Sequence, residues 1–202
     1  MTKMMPWDYH ADLQEHRLVE IASVLRQARN SALELHDPDG GDSSWSLGCR
    51  CFDRGRNRLN QAWKGQIWDW LTVTDPSLHF RFKIGNVECS FYRGDHDDPR
   101  SNALTRADPA QFELFTGENT LPPVLTWTFA VETDEFGSIE RIVFVGLNSD
   151  LVPECVWVAP EDSTFGFVAP IDGTPPAPIE LPPADVSFPD EDADESGSGE
   201  LS

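Results

Sequence analysis

Leu78-His79-Phe80-Arg81-Phe82-Lys83-Ile84-Gly85-Asn86-Val87-Glu88-Cys89-Ser90-Phe91-Tyr92-Arg93 alternates apolar and polar residues on either side of a Gly-Asn pair. Strand side chains point to opposite faces with period two, and Gly-Asn suits a two-residue turn, so the stretch predicts an antiparallel hairpin. Counting outward from the turn sets Ile84 against Val87, Phe82 against Cys89 and Phe80 against Phe91 on an apolar face. Lys83 then meets Glu88, Arg81 meets Ser90 and His79 meets Tyr92 on a polar one.

Downstream, residues 94–123 are mostly polar, with a short helix expected near Pro109 to Phe115. A connector of that length between structured elements is often functional. Leu125, Trp127, Phe129 and Val131 then alternate toward Asp134 to Gly137, and Ile139 to Leu147 returns as a second hairpin. Ile142 to Val145 is apolar on both sides, which leaves the register open and predicts a central strand covered on both faces. Glu154 to Val158 reads as the last strand.

Upstream, Asp75-Pro76 marks a break. Before it, Leu59, Ala62, Trp63, Ile67 and Trp70 recur at helical spacing from about Arg56, with Trp68 off the stripe at an edge or contact surface. Trp45, Leu47, Cys49 and Cys51 alternate with Ser46, Gly48 and Arg50, which reads as a strand with the two cysteines as small core residues. His36 to Ser44, with Pro38, Gly40 and Gly41, is a polar loop. Ahead of it, Leu13, Val19, Ile21, Val24, Leu25, Ala28 and Ala32 place an amphipathic helix over about Ala11 to Leu35.

Helices preceding antiparallel hairpins predict an α+β fold, two amphipathic helices packed on one face of a mainly antiparallel sheet, with the other face left for partners. Seven Trp and twelve Phe in 202 residues supply enough apolar bulk for one core. The domain is assigned to residues 1–169. Residues 170–202, rich in proline and then in acids, lack core-forming residues and are expected to be a disordered tail. No apolar run approaches the roughly 20 residues that span a bilayer, so the expected location is the cytoplasm, with reduced and buried thiols at Cys49, Cys51, Cys89 and Cys155.

The net charge of -20 is uneven: residues 160–202 hold 11 acids and no Lys or Arg, which leaves residues 1–159 at -9. That field disfavours nucleic acid, because binding a phosphate backbone needs Lys and Arg to displace counterions. It suits solubility or a basic protein partner instead. Against this background Arg50, Arg54, Arg56 and Arg58 cluster, Arg81 and Lys83 lie along the polar face of the first hairpin, and Arg93 ends it. Guanidinium groups pair bidentately with carboxylate and phosphate, so these seven residues are the candidate binding set.

Motifs for chemistry are missing: there is no nucleophile elbow, no phosphate-binding loop, and Cys49-Arg50-Cys51 has the wrong spacing for a zinc knuckle. No catalytic residue, metal ligand or cofactor is assigned. Two acidic loops, Asp37 to Asp42 and Asp95 to Asp98, group carboxylates as hard cations require, yet neither has EF-hand spacing. The composition therefore points to a noncatalytic protein-interaction module, an accessory, immunity or inhibitory protein that presents an acidic surface; its partner and oligomeric state are not encoded in any motif. The alternative is a divergent metal-dependent phosphoryl-bond hydrolase, in which Glu88, Asp95 and Asp97 hold the ion and Arg81 or Arg93 steadies the phosphate. Carboxylates within about 5 Å of one another around a cavity would favour it, and carboxylates scattered on a convex surface would remove it.

Overall fold

The computed structural model describes residues 4–99 and 125–161. In chain order they form α1 (Pro6–Tyr9), α2 (Glu15–Leu33), α3 (Ser44–Lys64), β1 (Leu71–Asp75), β2 (Arg81–Ile84), β3 (Val87–Arg93), β4 (Thr126–Thr133), β5 (Ile139–Leu147) and β6 (Pro153–Val158). The six strands make one sheet in sequence order, antiparallel at every pairing except β3 with β4, which is parallel. The architecture is α+β. A parallel pair cannot be closed by a tight turn, which is why a long connection separates Arg93 from Thr126.

The first hairpin has the register its alternation dictates, with Ile84 opposite Val87, Lys83 opposite Glu88 and Phe82 opposite Cys89. Gly85 takes φ +59, a left-handed value that costs glycine little. Asp12 reaches across from the chain before α2 to accept hydrogen bonds from Asn86 N–H at 3.0 Å and Asn86 Nδ2 at 3.3 Å, pinning the turn to the helical layer. Phe80 precedes β2, yet its ring still meets Phe91 edge-on at 5.9 Å.

One sheet face is built on aromatic rings: Phe82 lies 6.4 Å from Phe129, Phe129 4.5 Å from Phe144, and Trp127 is stacked 5.2 Å from Phe144. Leu18, Ile21, Ala22 and Leu25 of α2, with Leu59 and Ala62 of α3, belong to the same core. Their spacing of three and four residues keeps them on one side of each helix. Gly55 permits the closest approach, since a Cβ there would stand 3.2 Å from Phe91 Cζ and 3.3 Å from Leu25 Cδ2. Arg29, buried in α2, donates from Nε to the carbonyl of Gly137 and so ties α2 to the β4–β5 turn. Burial lowers its pKa from the usual guanidinium value.

Residues 45–51 are helical, where the alternation predicts a strand. Ser43 decides it: its Oγ accepts from Ser46 N–H at 3.2 Å while Ser46 Oγ accepts from Ser43 N–H at 3.0 Å, a reciprocal cap that starts α3 well before Arg56. Leu47, Cys51, Gly55, Leu59 and Ala62 then continue one helical stripe, of which the apparent period-two pattern sampled only the first turns. Cys49 is consequently exposed and Cys51 half-buried, and only Cys89 and Cys155 are core thiols. Ile67 and Trp70 lie beyond the end of α3, and Trp70 leads into β1, a strand absent from the sequence reading. Trp68, expected at an edge or contact surface, stacks on Trp70 at 5.2 Å.

The second sheet face is not the open polar surface the hairpin pattern suggests. Ser90, Tyr92, Thr128, Ala130, Val143, Val145 and Leu147 are all buried there, and β5 is apolar on both sides. The expected central strand is β5, in which Ile142, Val143, Phe144 and Val145 are each 0% exposed. All described residues belong to the unit Met1–Ala169. The tail expected over 170–202 and the helix expected near residues 109–115 lie outside the described residues. No helix among the described residues is long and apolar enough to cross a membrane.

Candidate functional site

The parallel pairing of β3 and β4 brings their C-terminal ends to one end of the sheet, with Tyr92 opposite Ala130 and Arg93 opposite Val131. The chain leaves β3 through Gly94, whose N–H donates to Val131 carbonyl at 3.2 Å, and folds Asp95, His96 and Asp97 over the end of β4. A cleft of about 520 Å³ opens here, lined by Tyr92, Arg93, Asp95, Asp98, Glu132, Thr133 and Glu140.

Glu132 is the anchor. It is 8% exposed, and Arg141, directly opposite it on β5, donates to Oε2. His96, also 8% exposed, gives its N–H to Oε1 at 3.2 Å and sets ring Nδ1 2.6 Å from the same oxygen. Burial alone pushes the Glu132 carboxyl up, but the hydrogen bonds from Arg141, His96 Nδ1 and His96 N–H outweigh it, and the net pKa lies below the usual carboxylate value. Arg141 is raised in turn, chiefly by its hydrogen bond to Glu132.

Around this anchor the carboxylates gather. Asp97 Oδ1 lies 3.3 Å from His96 Nε2, and Asp95 Oδ1 lies 3.3 Å from Nδ1. Asp97 N–H donates to Asp95 Oδ1 at 2.9 Å, and Tyr92 Oη donates to Asp95 carbonyl at 3.0 Å. The pKa of Tyr92 is raised, first by burial and then by Asp95, Glu132, Asp97 and Asp98. The buried phenol thus senses the negative potential of the cleft.

No protein-family model, curated protein or solved structure matches this chain. Chemistry at the site therefore rests on its own residues.

The seven candidate cations fall in several places. Arg50, Arg54 and Arg56 line one groove of about 440 Å³ on α3 with Asp53, Asn57, Asn60 and Pro76. Each also has an internal acceptor: Arg50 donates to both oxygens of Asp42 at 3.0 Å, Arg54 to the Ser31 carbonyl, and Arg56 to Asp53 at 2.8 Å. Arg58 turns to α2, donating to Gln27 Oε1 at 3.2 Å and Ser31 Oγ at 3.3 Å. Arg81 stands opposite Asp75, and Lys83 between Thr72 and Glu88. Arg93 alone of the seven lines the acidic cleft, donating from Nε to Thr133 Oγ1 at 3.3 Å.

Of the residues considered for a metal, Asp95 and Asp97 come together and Glu88 does not. Glu88 lies opposite Lys83, five strand residues before Arg93, a separation of about 17 Å. His96, Glu132 and Arg141, joined by hydrogen bonds at this site, are the residues that the sequence reading missed. Their only signal was the pairing of Glu132 with Arg141, which the ambiguous register of the second hairpin concealed.

Proposed function

We propose that this chain is a noncatalytic protein-interaction module whose binding site is the acidic cleft at the C-terminal ends of β3 and β4. Its occupant is a lysine- or arginine-rich segment of a partner protein. The observation that carries the reading is charge balance: Asp95, Asp98 and Glu140 line the cleft with Arg93 as the one lining cation, while the fourth acid there, Glu132, is paired with Arg141. Such a concentration of one sign raises the local concentration of the opposite sign and speeds its arrival. The α3 groove, with Arg50, Arg54 and Arg56, is the module's counterpart for carboxylates on the same partner.

Titrating an oligolysine peptide into the full chain, in EDTA and with NMR detection, tests this. Shifts should centre on Gly94 to Asp98, Glu132 and Glu140, weaken with added salt, and fall about tenfold in affinity in Asp98→Asn/Glu140→Gln. Shifts confined to the acidic residues of 160–202, or an unchanged affinity in the double variant, would sink the reading.

A metal-dependent phosphoryl-bond hydrolase is the second reading, favoured by one observation: Asp95, which lies close to Asp97, lines a cavity together with Arg93. Glu132 and His96 take the place there that the sequence reading gave to Glu88. Assaying phosphomonoesters and phosphodiesters with manganese decides it, since turnover lost in Asp97→Asn supports hydrolysis and a rate equal to buffer removes it.

A further inference from the structure

His96 supplies something the carboxylates alone do not. It is more than nine-tenths buried, and Glu132 holds its Nδ1 from outside the loop. That contact fixes the direction of the ring and turns its Nε2 edge toward the loop carboxylate of Asp97. Nε2 faces Asp97 Oδ1 at 3.3 Å. One donor atom each from Asp95, His96 and Asp97 lies within 4.8 Å of the other two. Two donors about 2.0 to 2.4 Å from a shared ion cannot be farther apart than about 4.8 Å, so the three meet the outer limit for a common ligand.

We infer that Asp95, His96 and Asp97 form a binding site for one divalent transition-metal ion, with Glu132 as the positioning residue behind His96. A carboxylate that accepts from the distal nitrogen of a metal-bound histidine fixes the tautomer and the ring direction, which is the relation of Glu132 to His96. Arg141 donates to the other oxygen of Glu132 and so fixes the carboxylate in place for that role. One imidazole and two carboxylates suit zinc, cobalt or manganese better than magnesium or calcium, which prefer all-oxygen sites. Three protein donors on an exposed loop leave further coordination positions to water or a ligand. The site needs neither functional reading above, because it rests on three donors and an oriented ring. A bound dication would cancel two of the cleft's negative charges and so weaken its hold on a basic partner.

Titration of the full-length protein with cobalt(II), followed by calorimetry and by visible ligand-field bands, tests the assignment without any partner or substrate. One ion per chain should bind, magnesium should compete poorly, and His96→Ala and Asp97→Ala should each weaken cobalt by about tenfold or more. Glu132→Gln should weaken it by about tenfold while the bands persist, which a purely structural role for Glu132 would not produce. The side chain of Asp97 is 73% exposed, so Asp97→Ala keeps the test informative even where His96→Ala fails to fold. Cobalt affinity unchanged in Asp97→Ala, or binding only to several weak equivalent sites, would overturn the inference and leave His96 as an ion-paired structural residue. Metal binding read this way and oligolysine binding read in EDTA succeed or fail separately.

Discussion

The loops Asp37 to Asp42 and Asp95 to Asp98 are nearly interchangeable as text, each a short run of aspartates in a polar stretch, but the fold uses them in opposite ways. In the first, Asp42 accepts from Asp37 N–H at 3.0 Å, from Arg50 at 3.0 Å to each oxygen, and from Ser46 Oγ at 3.2 Å. Asp37 in turn accepts from Gly40 N–H at 2.9 Å. The acids close a loop and steady the start of α3. In the second, Glu132 takes the guanidinium of Arg141, while Asp95 and Asp97 flank a histidine beside the cleft that Asp95 lines. Acid content is therefore no guide to function in this chain; what matters is whether a helix or strand brings a cation to the carboxylate.

The largest expected contrast lies beneath the two loops. Glu132→Ala removes the acceptor shared by His96 and Arg141, and urea unfolding should show a loss of about 2–3 kcal/mol. The loss stays below that of a fully buried ion pair because the Arg141 side chain is 48% exposed and recovers water. A loss below about 1 kcal/mol would mean that the second loop is no better anchored than an ordinary surface turn.

Acid provides the next test, and its sign is fixed. Glu132 and Asp42 both have folded pKa values below their ordinary ones, Asp42 at about 2 through the Asp37 N–H and then Arg50. Their contribution is fully present above the unfolded carboxylate pKa of roughly 4 and is lost as pH falls through each folded value. Stability should decline below about pH 4, the Asp42 part persisting toward about pH 2. Glu132→Gln should flatten the decline. In Arg50→Ala, NMR should find the Asp42 carboxyl titrating higher yet still below its ordinary value, because the Asp37 hydrogen bond remains. No movement of Asp42 would dissolve the distinction drawn for the first loop.

How much of this was legible in the sequence depends on the range of the interaction. The inner pairs of the first hairpin, from Ile84 with Val87 to Phe82 with Cys89, were readable because its alternation and its Gly-Asn turn agree, both being local. The strand expected from Leu78 begins only at Arg81, and the outer pairs expected there are not part of the ladder. The central strand was readable from apolarity on both sides, but that same apolarity removed the register, and with it the facing of Glu132 and Arg141. The start of α3 was misread because period-two spacing over seven residues outweighed the Ser43 to Ser46 cap, although helical spacing from Leu47 to Ala62 was present in the text. The placement of Asp95 and His96 over β4 depends on a parallel pairing across a long connection, which no local pattern encodes.

The smallest expected effect is the sharpest test of what the second loop is for. Asp97 presents a side chain that is 73% exposed, and its carboxylate is ion-paired with His96 Nε2 at 3.3 Å. An exposed ion pair of this kind contributes little, so Asp97→Asn should change unfolding stability by less than about 0.5 kcal/mol. Were the loop a structural closure like Asp37 to Asp42, its carboxylates would be expected to matter for folding. If it instead collects charge for a cation, Asp97→Asn leaves the fold intact and removes one ligand. Near-unchanged unfolding together with a clear loss of cobalt affinity would separate the two loops by purpose, and a stability loss above about 1 kcal/mol would make them alike after all.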